Sequence, residues 1–147
     1  MKRNPAESRS FEAHDGHRIT EVLGLATTNT PRYSVAYIVA PPQSRGEARQ
    51  NQFDEILIVE EGHATVVQDH VRQIVGPRDV MLLPAGTGYW LETGDETLRF
   101  WAICVPAFRP EWSQIGETPR RDWRDYQTPR GADRLRPQSV TEGQVEG

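Results

Sequence analysis

Apolar and β-branched residues come in short bursts along this chain, each broken by Pro, Gly, Asp or Asn. Residues 33–40 read as a strand stopped by Pro41-Pro42, and residues 56–59 as a second, ended by Glu60-Glu61-Gly62. Residues 64–67 and 71–75 read as a hairpin around the polar tip Gln68-Asp69-His70. A burst at 80–83 stops before Pro84, and 89–92 and 98–105 complete the set. Upstream, 18–23 reads as a further strand, entered through the Asp15-Gly16 turn. No stretch sustains a helical period. Short strands with turn signals every 8–12 residues predict an all-β sandwich or barrel.

The pattern divides the chain into an N-terminal extension (1–31) with one or two edge strands, a dense middle (32–106) and a polar tail (107–147). The tail carries Trp112, Trp123 and Tyr126 as isolated aromatics, suited to fastening its first half onto the domain or a partner subunit. After about residue 127 it holds too little apolar surface to offset ordering entropy, so flexibility is expected there. Trp90, Trp101, Trp112 and Trp123 are evenly spaced, but their neighbours do not align, which argues against a repeat.

At 147 residues the chain has the length of one domain. Its mean hydropathy of -0.67 fits a true core with polar ends. Seventeen basic against 21 acidic residues give a net charge of -4, and nucleic-acid binding normally needs a clustered basic surface, so a nucleic-acid partner is not expected. No apolar run approaches the ~20 residues that span a bilayer, and the polar N-terminus lacks the apolar stretch of a signal peptide. A cytoplasmic protein without a membrane partner is expected. Cys104 is the one cysteine, which excludes an intrachain disulfide and a cysteine-built metal site.

Motif spacing then adds a family. Glu55, six residues and Gly62 resemble the end of the first motif of cupins, small jelly-roll β-barrels. Pro84-Ala85-Gly86 supplies the central Pro-x-Gly of their second motif, and Gly76-Pro77-Arg78-Asp79 resembles the turn before it. The resemblance spans about residues 32–106. More weakly, Phe53-Asp54-Glu55-Ile56 and Val59-Glu60-Glu61-Gly62 resemble cupins of the ethanolamine-utilisation type. The resemblance implies a cupin-type jelly-roll barrel and, in most members, a divalent metal held by a His-x-His pair, a Glu and a second-motif His. Here the pair falls on Arg49 and Asn51 or, one residue earlier, on Ala48 and Gln50. The second-motif His is Tyr89, its Asn is Thr93 and its first Gly is Arg78. Glu55 alone keeps a common metal-binding residue type, so no cofactor is expected and a metal is disfavoured.

Strand alternation places Arg49, Asn51, Phe53 and Glu55 on one face of a regular strand, and the resemblance makes that face the barrel interior. Glu55 and Tyr89 are the expected catalytic pair; Asn51, Arg49, Phe53 and Trp101 are expected to bind substrate. Burial raises a carboxylate's pKa toward useful acid or base strength, whereas a neighbouring Arg opposes this. Asp54 is expected to be a surface charge, Cys104 a small packing residue, and His14, His17, His63 and His70 surface histidines. The leading function is a small-molecule isomerase, cyclase, epimerase or lyase working by proton transfer, with Glu55 as the acid or base. The alternatives are a metal-dependent, dioxygenase-like cupin with unusual ligands and a non-enzymatic ligand-binding barrel. A homodimer is expected: the resemblance implies pairing through outer sheet faces, and edge strands left open would be an aggregation risk.

Overall fold

The computed structural model of the protein describes residues 1–116. Two antiparallel sheets pack face to face. In chain order the strands are β1 (Phe11–Glu12), β2 (Arg18–Leu23), β3 (Ser34–Ala40), β4 (Arg49–Asn51), β5 (Asp54–Glu61), β6 (Ala64–Gln68), β7 (Val71–Val75), β8 (Val80–Leu83), β9 (Gly88–Thr93), β10 (Leu98–Val105) and β11 (Ser113–Ile115). One sheet runs β1-β2-β3-β10-β5-β8 and the other β11-β4-β9-β6-β7. A single helical turn, α1 (Leu25–Thr28), follows β2. The all-β expectation holds, and the sequence bursts became β2, β3 and β5–β10.

The turns explain the motif residues. Gly62 sits at φ 88°, and a Cβ there would lie 2.2 Å from the Thr97 carbonyl oxygen, so glycine is required between β5 and β6. Asp79 accepts the Gly76 N–H through its carboxylate at 2.8 Å and so closes the turn into β8. Arg78 in that turn has φ 76°, a left-handed position at which the family pattern has glycine. Asp54 is not a free surface charge: its Oδ1 accepts the Ala85 N–H at 2.9 Å and fixes the Pro84–Gly86 corner.

Alternation sets the core. Leu98, Phe100, Ala102 and Cys104 on β10 point into the sandwich against Leu57 and Val59 of β5 and Val66 and Leu91 of the facing sheet. Leu57, Leu91, Phe100 and Ala102 also line a cavity of about 540 Å³. Segments outside 32–106 complete its walls. β2 pairs with β3 and brings Ile19 and Glu21 to the cavity. Past Pro106, Phe108 packs edge-on against Phe53 at 5.7 Å, and β11 pairs with β4. Trp112 lies under the Arg109 guanidinium, 4.7 Å from its ring centre. Trp123, Tyr126 and the expected flexible end lie outside the described residues.

Candidate active site

β4 is three residues long, and its alternation decides which positions enter the barrel. Arg49 and Asn51 point into the cavity, while Gln50 points away and donates from Nε2 to the Gly86 carbonyl. The chain then bends at 52–53 and crosses to the other sheet, where β5 begins. Glu55 therefore reaches the same cavity from the opposite sheet, and Tyr89 on β9 faces it, paired in register with Arg49.

These side chains form one hydrogen-bonded line. The Tyr89 hydroxyl donates to Glu55 Oε1 at 2.6 Å, and Asn51 Nδ2 donates to the same oxygen at 3.1 Å. Ser113 donates to Asn51 Oδ1 at 2.6 Å and accepts from Arg49 Nη1 at 2.9 Å. Arg49 Nη2 lies 3.8 Å from Glu47 Oε1. Burial raises the Glu55 carboxyl above its ordinary pKa; the bond from Tyr89, the charge of Arg49 and the bond from Asn51 oppose it without cancelling it. Burial, and then the Glu55 charge, pushes the Tyr89 phenol well above its usual range. The Cys104 thiol, on the cavity wall, is likewise raised by burial first. A carboxyl that holds its proton longer than usual, backed by a phenol that stays protonated, suits proton transfer.

Of the expected site residues, the structure brings Glu55, Tyr89, Asn51 and Arg49 together. Phe53 and Trp101 lie elsewhere. Phe53, 1% exposed, belongs to the bend between the sheets, where alternation lapses, and packs on Phe108 instead of lining the cavity. Trp101 sits on the outer face of β10, edge-on to Tyr37 at 4.9 Å, with its indole N–H donating to Glu60 at 3.2 Å. Phe100, one position earlier, faces inward and lines the cavity.

Two site residues escaped the sequence reading. Ser113, from the polar tail, joins Arg49 to Asn51. His17, expected at the surface, is 9% exposed and lines the cavity. A signal for it existed: His17, Ile19 and Glu21 are one period-two series, so the inward face of β2 extends back to His17. His14 and His63 stay outside, with Glu47 and Glu96 as respective partners.

The donor set does not fit the metal that cupins hold. At the family's ligand positions it offers one carboxylate, an amide, a phenol with a raised pKa and a fixed guanidinium. Among the described residues no group of three or more His, Cys, Asp and Glu side chains is placed to hold a metal ion. Among them, too, no helix is long and apolar enough to cross a membrane.

No family model matches the chain. Solved structures establish the fold. The chain is similar to the polyketide cyclase RemF from Streptomyces resistomycificus, with a TM-score of 0.68 and 17% identity over 92% of this chain and 98% of that one. It is similar to a variant of Streptomyces PAC13 with uridine, with a TM-score of 0.66 and 16% identity over 84% and 95%; Pac13 is described as a nucleoside dehydratase. The oxalate decarboxylase of Bacillus subtilis matches with a TM-score of 0.65 and 14% identity over 76% of this chain and 30% of that one. The chain has the cupin-type fold. Among curated proteins, one from Myxococcus xanthus (strain DK1622) named endoribonuclease YbeY is 39% identical over 107 residues, 72% of this chain and 36% of that protein. The chain thus spans about a third of the length of this relative. The relative's name overturns the expectation that nucleic acid has no part here. The expectation rested on a net charge of -4, which is a sum over the chain and does not describe any one surface.

Proposed function

We propose that this cupin-type barrel is a small-molecule enzyme that works by proton transfer, in the isomerase, cyclase, epimerase or lyase class, with Glu55 as its acid or base and no metal at the site. The observation that carries this reading is the buried 2.6 Å contact from Tyr89 to Glu55 at the wall of a 540 Å³ cavity. Both recorded bonds to the carboxyl use Oε1, so a substrate is met by Oε2. The apolar lining of Leu57, Leu91, Phe100 and Ala102 seats the substrate body and keeps the effective dielectric low, where a proton donor or acceptor acts most strongly. Asn51 and Arg49, held through Ser113, orient a polar substituent beside the carboxyl. That two fold neighbours are described as a cyclase and a dehydratase supports the same reaction class.

A second reading is favoured by the 39% identical relative: the chain acts on RNA, or serves a protein that does. The uridine bound by PAC13 makes a nucleoside a natural member of the test panel for either reading.

The test is solvent exchange. The full chain is incubated in deuterium oxide with β-hydroxy ketones, polyphenols, enolisable diketones, uridine and a short oligoribonucleotide. Mass spectrometry then reads deuterium at carbon, loss of water and strand cleavage. Carbon-bound deuterium in a small molecule that disappears in Glu55→Gln supports the proposal. Strand cleavage with no exchange supports the second reading and sinks the first.

A further inference from the structure

Outside the Glu55–Tyr89 pair, the cavity holds one more buried ring that can carry a proton. His17 stands at the head of β2, where its N–H is accepted by Asp15 Oδ1 at 3.0 Å. Its Nδ1 lies 3.8 Å from Asp15 Oδ2, and that carboxylate, 7% exposed, also accepts the Glu47 N–H at 3.3 Å. The ring packs over Gly46, where a Cβ would come within 3.2 Å of Cε1, so the residue opposite must stay small. The ring is thus held between its own turn and the Gly46-Glu47 segment. Its second nitrogen, Nε2, is buried without a hydrogen-bond partner among the described residues. Buried polar atoms are nearly always satisfied, and because His17 lines the cavity, a ligand there can supply the missing partner.

We infer that His17 is a second acid–base group of this cavity, with Nε2 accepting a hydroxyl of the substrate, and that the substrates are hydroxyl-bearing or enolisable compounds with an apolar, ring-sized body. This rests on the proton-transfer reading and extends it to a second group. The charges facing the ring are Asp15 from its own turn, Glu47 from the segment before β4 and Arg49 from β4. Burial is the largest influence and lowers the His17 pKa; Asp15 raises it, Arg49 lowers it and Glu47 raises it, with burial prevailing. A neutral ring beside the Asp15 carboxylate keeps its proton on Nδ1, which leaves Nε2 an acceptor. His17, Arg49 and Glu55 all line the one cavity.

Two such groups suit an enol–ketone interconversion. The enol O–H proton passes to His17 Nε2, and the O–H electron pair becomes part of the new C=O bond. The C=C pair takes a proton from the Glu55 carboxyl and becomes a C–H bond. Both residues recover their starting states by exchanging protons with solvent, and the reverse reaction uses the same steps. Asp15 acts here as a positioning residue.

The experiment uses the full chain with ¹⁵N-labelled histidine and phenol as the probe, because phenol is a ring-sized enol. The His17 signals are assigned by their loss in His17→Leu. In the free protein at pH 7, Nε2 is expected at the position of an unprotonated ring nitrogen and is expected to move upfield as phenol saturates the cavity. His17→Leu is expected to weaken phenol binding roughly threefold to tenfold, the worth of one neutral hydrogen bond. Asp15→Asn, which keeps the oxygen that accepts the His17 N–H, is expected to move the ring proton toward Nε2. A protonated Nε2 in the free wild type, or an Nε2 unmoved while the Leu57 and Leu91 methyl signals shift, overturns the inference. So does a cavity that admits no phenol. Failure of the underlying reading looks different: His17 responds to phenol as described, yet no compound shows Glu55-dependent solvent exchange.

Discussion

Tyr89 and Glu55 stand on opposite sheets, yet the phenol hydroxyl reaches the carboxyl oxygen over 2.6 Å inside the barrel. The contact exists because β9 and β5 face each other across the sandwich, with Tyr89 and Glu55 both on inward positions. The proton of Tyr89 is committed to Glu55. The phenol therefore sets the acidity of the carboxyl more directly than it stabilises charge on a substrate. Tyr89→Phe removes the largest influence opposing burial, so the Glu55 pKa rises further. The limb of the pH–rate profile that Glu55 sets is expected to move to higher pH. Loss of a buried bond to a charged acceptor costs about 1–3 kcal/mol, read as a lower denaturation midpoint.

Stability should depend on pH through Glu55 in a defined direction. Its folded pKa lies above the ordinary value of 4.5, so its contribution is fully present below about pH 4.5 and is lost as pH rises through the folded value. Glu55→Gln removes this dependence. Melting temperatures taken across pH 4 to 8 are expected to show the variant gaining on the wild type as pH rises. A constant difference between the two would show that the carboxyl is not perturbed.

Glu55 and Tyr89 were legible because motif spacing names their positions, whereas it left two registers for the pair before them, of which β4 takes Arg49 and Asn51 over Ala48 and Gln50. Phe53 was misassigned because the chain changes sheets at 52–53, and a period of two does not survive such a bend. Trp101 was misassigned for the opposite reason. Alternation does hold along β10 and sends it outward, where Tyr37 and Glu60 use its ring and N–H. Ser113 carried no signal at all, since a serine in a polar tail acquires meaning only when β11 pairs with β4.

The difference between the faces of β10 is testable. Trp101→Ala is expected to leave kcat and KM unchanged for the compound selected by solvent exchange. Ala102→Leu, one residue on, projects into the cavity and is expected to raise KM or abolish turnover, at a stability cost of about 1–3 kcal/mol. Equal effects of the two would contradict the alternation.

The open edges of the sheets, β7 and β8, present Val71, Ile74, Val80 and Leu82 to solvent. Such edges pair readily, and a homodimer through them is expected. Light scattering should then give about twice the chain mass of 16.7 kDa, and Ile74→Lys with Leu82→Lys should return the monomer. A wild type that is monomeric at micromolar concentration would contradict it.

The central claim is that Glu55 moves the proton without a metal, and solvent exchange on chelated protein tests it most directly. The full chain is dialysed against EDTA, its metal content is measured, and deuterium incorporation at carbon is followed for wild type and Glu55→Gln. An unchanged rate is expected for the chelated wild type, and a rate lowered roughly a hundredfold or more in Glu55→Gln, as for loss of a general acid or base. A chelated wild type that is inactive and recovers with one equivalent of a divalent ion, or a Glu55→Gln variant that exchanges as fast as wild type, would contradict the central claim.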